Sequence, residues 1–333
     1  MSRRPPDGTC DAYIMLDVIT VIAEGAASGL ALKRMSSDAS LPLLRLRSLD
    51  RSDRVQTYGE VADAVQRVQA ALKERGYKCN PNSALGSLFR KALLLNEQWK
   101  AQSKNQDILT LMQADDAVRI AAAVEEVLDD PDAAEPIRRI TKSDMQLITR
   151  QPSQGKDALW ELDLLSFMKR RGLPARMQEP PDLVVTLPGA LGDYGIACKK
   201  VYSERSVAKQ LQKGCRQLAD MESPGVIAFN LDDMTPERAI LVRPTRQAAN
   251  DHLHGLNIAF MERHQRQFQD AVLSCRCDGV LLSITAQADV EGMSPRFNRV
   301  TEVTLWTVEN APPGAQLRTA ALNRLVNELK TPG

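Results

Sequence analysis

Residues 181–201, which read PDLVVTLPGALGDYGIACKKV, contain the pattern that most constrains the fold class. Two runs rich in β-formers, DLVVTL and YGIACKKV, flank the turn-prone segment PGALGD and predict a β-hairpin with a longer loop. Side chains two residues apart on a strand point to the same face of the sheet. Lys199 is therefore expected to share a face with Ala197, and Asp182 can approach both from the neighbouring strand.

The residues around this hairpin alternate between helical and strand patterns. A helix precedes the hairpin, and a helix, a buried strand, another helix, two strands and a final helix follow it. This order predicts an α/β fold with a mixed central sheet flanked by helices. The expected helices are Asp157–Arg171, Ser206–Met221, Ala259–Leu273 and Gln316–Leu329, and the expected strands are Asp182–Leu187, Tyr194–Val201, Gly225–Leu231, Gly279–Ala286 and Val300–Val308.

The first 150 residues have a different, mostly helical pattern. The polar, turn-prone segment Gln151–Gly155 separates them from the rest, which predicts a helical domain over residues 1–150 and a second domain over residues 151–333. Partner recognition, coverage of the second domain and self-association are all open as roles for the first. Its expected elements are helices at Tyr13–Ala23, Tyr58–Arg75, Ser87–Lys100 and Asp115–Leu128, and a short strand at Leu41–Leu49.

The overall composition is that of a globular protein, with 43% hydrophobic and 26% charged residues. Lys and Arg total 43 against 42 Asp and Glu, a net charge of +1 that neither suggests nor excludes a nucleic-acid partner. No stretch reaches the roughly 18 apolar residues of a membrane span, so no membrane role is expected. The six cysteines are scattered, which favours a reduced, cytoplasmic setting over a disulfide framework.

The residues that carry chemistry come in a recognisable order. Glu161 lies on the helix before the hairpin, Asp182 begins the first strand, Ala197-Cys198-Lys199 ends the second, and the next helix offers Gln210 and Gln217. This order resembles the PD-(D/E)xK, or restriction-endonuclease-like, nuclease superfamily over roughly residues 157–310.

The resemblance implies a fold, an activity and a site. The fold would be a restriction-endonuclease-like mixed sheet, and the activity would be cleavage of phosphodiesters, in DNA ahead of RNA, with Mg²⁺ or Mn²⁺. Asp182, Glu161 and the backbone carbonyl of Cys198 would hold the metal, Lys199 would act on the water or the phosphate, and Gln210, preferred over Gln217, would assist. Many members act as dimers, which makes a homodimer possible.

Physical chemistry supports this set of residues. Magnesium prefers hard oxygen ligands and usually keeps several waters, so two or three acids suffice to hold it against a phosphate. A neighbouring lysine can orient or deprotonate a water and offset phosphate charge. Singly, each residue also has a structural interpretation: Asp182 as a strand-entry residue, Lys199 as a solvated strand end and Glu161 as an exposed helix charge.

Ala197 departs from the family pattern, because an acid is expected at this position. Three explanations stay open: an inactivating substitution of a natural acid, relocation of the acid to Glu161, Glu179 or Asp193, or loss of catalysis with binding retained. The last corresponds to a rival class, a non-catalytic nucleic-acid-binding or assembly protein on the same scaffold. A structural or regulatory protein without nucleic acid is a third class.

A basic stripe on the helix after the hairpin favours a nucleic-acid partner. Its residues recur at spacings of three and four, opposite an apolar face, and could follow a phosphate backbone; an ordinary solvated helix face is the alternative. The expected nucleic-acid-binding residues are Lys200, Arg205, Lys209, Lys213 and Arg216.

Other candidates for a site are weaker. The histidines at 252, 254 and 264 have the wrong spacing for a metal site, and the pair Cys275 and Cys277 lacks a matching second pair. Asp232-Asp233, after a buried strand, is interpreted as a capping or loop pair rather than a cation site.

Overall fold

The computed structural model describes residues 21–22, 43–46, 57–101, 107–293 and 297–327. Within these ranges the chain forms α-helices and one mixed β-sheet. The helices are α1 (Tyr58–Glu74), α2 (Ala84–Lys100), α3 (Ile108–Glu125), α4 (Ala134–Lys142), α5 (Gln154–Arg170), α6 (Val207–Leu218), α7 (Arg246–Leu273) and α8 (Pro313–Asn327). The strands are β1 (Val21–Ile22), β2 (Leu43–Leu46), β3 (Ala175–Met177), β4 (Leu183–Leu187), β5 (Gly192–Lys200), β6 (Val226–Asn230), β7 (Ile240–Arg243), β8 (Gly279–Val290) and β9 (Phe297–Trp306).

The sheet is organised around the long strand β8. β9 pairs antiparallel with β8 over residues 280–289, and β2 pairs antiparallel with β9. Along the other edge of β8, β6 pairs in parallel with residues 279–283, and β7 pairs in parallel with residues 287–290. β5 is parallel to β6, while β4 and β3 continue the sheet in antiparallel fashion. β6 and β7 therefore leave residues 284–286 of β8 without a strand partner on that edge.

The hairpin predicted from residues 181–201 is confirmed as β4 and β5. Its register pairs Leu183 with Ile196 and Leu187 with Gly192. Gly192 adopts φ +63°, a left-handed conformation that favours glycine at the point where the loop re-enters the strand. A Cβ on Gly225 would lie 1.9 Å from the carbonyl oxygen of Gly195. Glycine at 225 is therefore required for β6 to begin beside β5.

The core packs on both faces of the sheet. Helices α1 to α5 and α8 share a hydrophobic cluster with one face, and α6 and α7 cover the other. Along β5 the side chains alternate between them, since Tyr194, Ile196 and Cys198 pack into the first cluster and Ala197 into the second. No helix in the described ranges is long and apolar enough to cross a membrane.

The predicted class, a mixed sheet flanked by helices, is confirmed, but several elements were wrong or missed. The helix expected at Ala259–Leu273 begins earlier, at Arg246, and α4, β3 and β7 had no prediction. Most of the helix expected at Tyr13–Ala23 lies outside the described residues, and its described part, Val21–Ile22, is a strand paired with β7. The division at residue 150 stays a prediction, while residues from both sides of it contribute to one hydrophobic cluster.

Candidate functional site

Asp182 and Lys199 meet at the end of the hairpin. The Lys199 Nζ lies 3.0 Å from Asp182 Oδ2 and 2.6 Å from the carbonyl oxygen of Cys198. Both side chains are buried, with Asp182 8% and Lys199 5% exposed. An ammonium is costly to bury without a partner, and here it is held between two oxygens. The sequence-based expectation that the acid and the lysine converge therefore agrees with the structure.

Asp182 accepts two further hydrogen bonds. The backbone N–H of Cys198 donates to Oδ2 at 2.6 Å, and Gln217 Nε2 donates to Oδ1 at 3.0 Å. Gln217, the last residue but one of α6, is the glutamine that reaches Asp182, whereas the assisting role expected of Gln210 stays a prediction. The two lie seven residues apart, and helix spacing alone did not decide which one stands beside the strand ends.

Ala197 lies where the family pattern places an acid. Since Leu183 pairs with Ile196, Asp182 stands opposite Ala197, on the face that Lys199 also shares. Ala197 is fully buried and packs into the hydrophobic cluster of α6 and α7. The side chain at this position supplies no ligand to the site.

Glu161 approaches the site from α5. Arg139 of α4 donates to both of its carboxylate oxygens, at 3.2 and 2.6 Å. Burial raises the pKa of Glu161 to about 7, the Asp182 charge adds to this, and Arg139 opposes it. The effect of Asp182 on this pKa places the two carboxyl groups within electrostatic reach of each other. Sequence reasoning missed Arg139, since a single arginine on an amphipathic helix has no distinguishing signal.

The other two candidates for a relocated acid differ in position. Asp193 accepts from Arg176 Nη2 at 2.6 Å and from Thr186 Oγ1 at 2.8 Å, at the loop end of the hairpin. Asp193 is not placed to serve as the relocated acid, because it lies near the start of β5 and Lys199 lies near the end of the same strand. Glu179 contributes to raising the pKa of Glu161 and so lies near the site. The charges of Asp182 and Glu179 both act on Glu161.

Lys200 is turned away from the basic stripe. Its Nζ lies 2.6 Å from Asn230 Oδ1 and 2.6 Å from Asp233 Oδ2, and its side chain is buried. Successive strand residues face opposite sides of the sheet, so Lys200 points away from Lys199. The expectation that Lys200 binds nucleic acid was wrong, since its ammonium is engaged inside the protein. The basic stripe itself is exposed and lies on or just before α6. Its residues are Arg205, Lys209, Lys213 and Arg216.

The remaining candidates are absorbed into internal contacts. His252 Nδ1 lies 2.9 Å from Arg243 Nη2, His254 Nδ1 lies 3.2 Å from Thr304 Oγ1, and the His264 ring packs 4.7 Å from that of Phe260. Within the described ranges, no group of three or more His, Cys, Asp or Glu side chains is placed to hold a metal ion.

The oxygens at the site still have the chemistry of a cation site. The Asp182 carboxylate and the Cys198 carbonyl are hard ligands directed at one position, which the Lys199 ammonium takes. Magnesium that keeps most of its water needs only one or two protein carboxylates. The donor set thus fits a hydrated divalent cation once Lys199 withdraws.

In comparisons with known proteins, no family model, no curated protein and no solved structure matches this chain.

Proposed function

We propose that this protein is a metal-dependent nuclease of the PD-(D/E)xK type, with a restriction-endonuclease-like fold, that hydrolyses phosphodiester bonds. The convergence of Asp182, Lys199 and the Cys198 carbonyl carries the proposal, because it places a carboxylate, a carbonyl and an ammonium at one strand end. Glu161 is the second carboxylate. By the resemblance, DNA is the expected substrate ahead of RNA, the setting is cytoplasmic, and a homodimer is the form that would cut both strands.

Each side chain has a role in this proposal. Asp182 and the Cys198 carbonyl would hold Mg²⁺ or Mn²⁺, which when bound supplies a polarised water and neutralises phosphate charge. Lys199, released from Asp182, would face the phosphate or the water. Gln217 holds Asp182 Oδ1, and its own amide oxygen has no hydrogen-bond partner among the described residues, so it can accept from a water. The exposed stripe on α6 would contact the phosphate backbone.

A second function, nucleic-acid binding without cleavage, is favoured by a separate observation. Position 197 supplies no carboxylate, and Asp182 already accepts from Cys198 N–H, Lys199 and Gln217. A scaffold with a neutralised acid can retain the basic stripe and bind the backbone without hydrolysing it. The two functions predict the same salt-dependent binding and differ in cleavage.

Plasmid cleavage separates them. The chain as it stands, Asp182→Asn, Ala197→Glu and the double variant are incubated with supercoiled DNA in Mg²⁺ or Mn²⁺. The nuclease proposal expects nicking or linearisation by the unaltered chain or by Ala197→Glu, and loss of it in each matching Asp182→Asn form. Asparagine retains the shape of the side chain and removes its charge. Circular dichroism of each Asp182→Asn form and of the matching form that keeps Asp182 shows whether the substitution alters folding.

DNA binding is measured on the same proteins. Salt-dependent binding with no cleavage by either the unaltered chain or Ala197→Glu supports the binding protein and overturns the nuclease. Absence of both cleavage and salt-dependent binding to DNA or RNA overturns both and leaves a structural or regulatory role.

A further inference from the structure

A cavity lies away from Asp182 and Lys199, neither of which lines it. It occupies the gap that β6 and β7 leave beside residues 284–286 of β8, between α3, α5 and the start of α7. The empty space within and in front of it is about 840 Å³, a figure that includes open solvent. Its apolar lining includes Met112, Trp160 and Leu256. Lys200 reaches it from the face of β5 opposite to Lys199.

Three buried oxygens in the lining of this cavity lack hydrogen-bond partners among the described residues. They are Asp116 Oδ2, Asp233 Oδ1 and Gln287 Oε1. The orientation of the Gln287 amide is set by its nitrogen, which donates to Met112 O at 2.8 Å and to Asp116 Oδ1 at 3.2 Å. Buried acceptors are nearly always paired in folded proteins. Ordered water or a ligand that brings hydrogen-bond donors can satisfy these three.

The charges around the cavity restrict what that ligand can be. Six cationic side chains line it: Arg119, Arg150, Lys156, Lys200, Arg238 and Arg299. Arg119, Lys156, Lys200 and Arg299 are paired with carboxylates. The Arg150 side chain donates only to neutral oxygens, among them Thr235 O at 2.6 Å and Pro236 O at 2.6 Å. Arg238 is exposed and has no carboxylate partner within the described residues. A ligand that fits this lining brings hydrogen-bond donors to the buried acceptors and an anionic group to Arg150 and Arg238.

We propose that this cavity binds a purine nucleotide of the guanine type. The adjacent N–H groups at N1 and N2 of guanine match the acceptors of Asp116 and Gln287, which lie side by side. The apolar lining accommodates the flat base, and the phosphate is directed to Arg238 and Arg150. The site is separate from Asp182 and Lys199 and does not depend on the nuclease proposal.

Calorimetric titration of the full chain tests this site with 5′-GMP as the probe. GMP is expected to bind, and guanosine, which lacks the phosphate, is expected to bind at least tenfold more weakly. IMP, which lacks the 2-amino group, is expected to bind at least fivefold more weakly than GMP. Absence of GMP binding, equal affinity for IMP, or binding of inorganic phosphate as tight as that of GMP would overturn the assignment.

Variants locate the binding to the cavity. Arg238→Ala alters an exposed side chain and is expected to weaken GMP binding at least fivefold, whereas Arg266→Ala, an exposed arginine of α7 outside the lining, leaves it unchanged. Asp182→Asn is expected to retain GMP binding, which separates this site from the nuclease-like one. Equal affinities for Arg238→Ala and Arg266→Ala, or loss of GMP binding in Asp182→Asn, would place the nucleotide elsewhere.

Discussion

Arg139 of α4 holds the Glu161 carboxylate of α5 through two hydrogen bonds of 3.2 and 2.6 Å. The ion pair joins a helix from the first 150 residues to a carboxylate at the candidate site. Glu161 is only 7% exposed, so its charge depends on this one guanidinium against the combined effects of burial and Asp182. Protonation of Glu161 is thus coupled to the folded state.

The stability of the protein is expected to fall between pH 5 and pH 8 in part because of Glu161. Its pKa rises from 4.5 in the unfolded chain to about 7 in the folded one, so the folded state binds the proton more tightly. The stabilising contribution is complete below pH 4.5 and is lost as the pH rises through 7, which amounts to about 2.5 kcal/mol between pH 5 and 8. Urea unfolding at both pH values measures it.

Glu161→Gln is expected to remove this part of the pH dependence, because glutamine does not titrate. Asp116, whose pKa burial also raises to about 7, gives a contribution of the same sign, so Asp116→Asn serves as the parallel control. Unfolding free energies of Glu161→Gln that still fall as steeply as those of the unaltered chain would contradict the assignment.

The two glutamines of α6 form a matched pair. Gln217→Leu removes a donor from the buried Asp182 carboxylate and is expected to cost about 1 to 3 kcal/mol. Gln210→Leu, which removes no hydrogen bond to a carboxylate among the described residues, is expected to change the free energy of unfolding by no more than about 0.5 kcal/mol. Urea unfolding of both variants tests this. Equal destabilisation by the two variants would mean that the hydrogen bond from Gln217 to Asp182 does not contribute to the free energy of unfolding.

The hairpin and the convergence of Asp182 and Lys199 could be predicted because both follow from strand periodicity. Asp182 and Lys199 are close in sequence, and the alternation of β5 directs Lys199 toward the acid. The apolar runs in β4 and β5 likewise predict that both strands are buried. For these residues local pattern and tertiary structure agree.

The partners from distant segments could not be predicted. Arg139 reaches Glu161 and Asp233 reaches Lys200 only after α4, α5 and the end of β6 have packed together. Lys200 follows Lys199 in sequence, and the same alternation that directs Lys199 to Asp182 directs Lys200 away from it. That rule predicts that Lys200 lies on the face opposite to Lys199. Its ion-pair partner, Asp233, could be identified only from the tertiary fold.

The basic stripe on α6 is expected to give DNA binding a salt dependence. Each phosphate contact contributes about 0.9 to the slope of log K against log salt concentration. Lys209→Ala/Lys213→Ala is expected to reduce the slope by about 2 if both contact phosphates. Fluorescence anisotropy with a labelled duplex over a salt series measures it. Arg266→Ala, an exposed control on α7, should leave the slope unchanged, and an unchanged slope in the double variant would remove α6 from the interface.

Lys200 is expected to matter for stability and not for binding. Lys200→Met removes the ammonium 2.6 Å from the buried Asp233 carboxylate and leaves only Lys156, at 3.9 Å, beside it. Loss of one member of a buried ion pair costs up to about 3 to 5 kcal/mol. Lys209→Met, on the exposed stripe, is expected to have little effect on the free energy of unfolding and to lower the salt slope instead.

The double variant Lys200→Met/Asp233→Leu separates loss of the pair from loss of packing. With both charges replaced by apolar side chains no unpaired carboxylate remains, so much of the stability is expected to return. Lys156 Nζ, 3.9 Å from Asp233 Oδ1, retains its hydrogen bonds to Thr149 O and Gln151 O and tolerates the change. Urea unfolding of the two single variants and the double variant measures the coupling. If Lys200→Met is as stable as the unaltered chain while its salt slope falls, the ammonium faces nucleic acid and its burial against Asp233 is refuted.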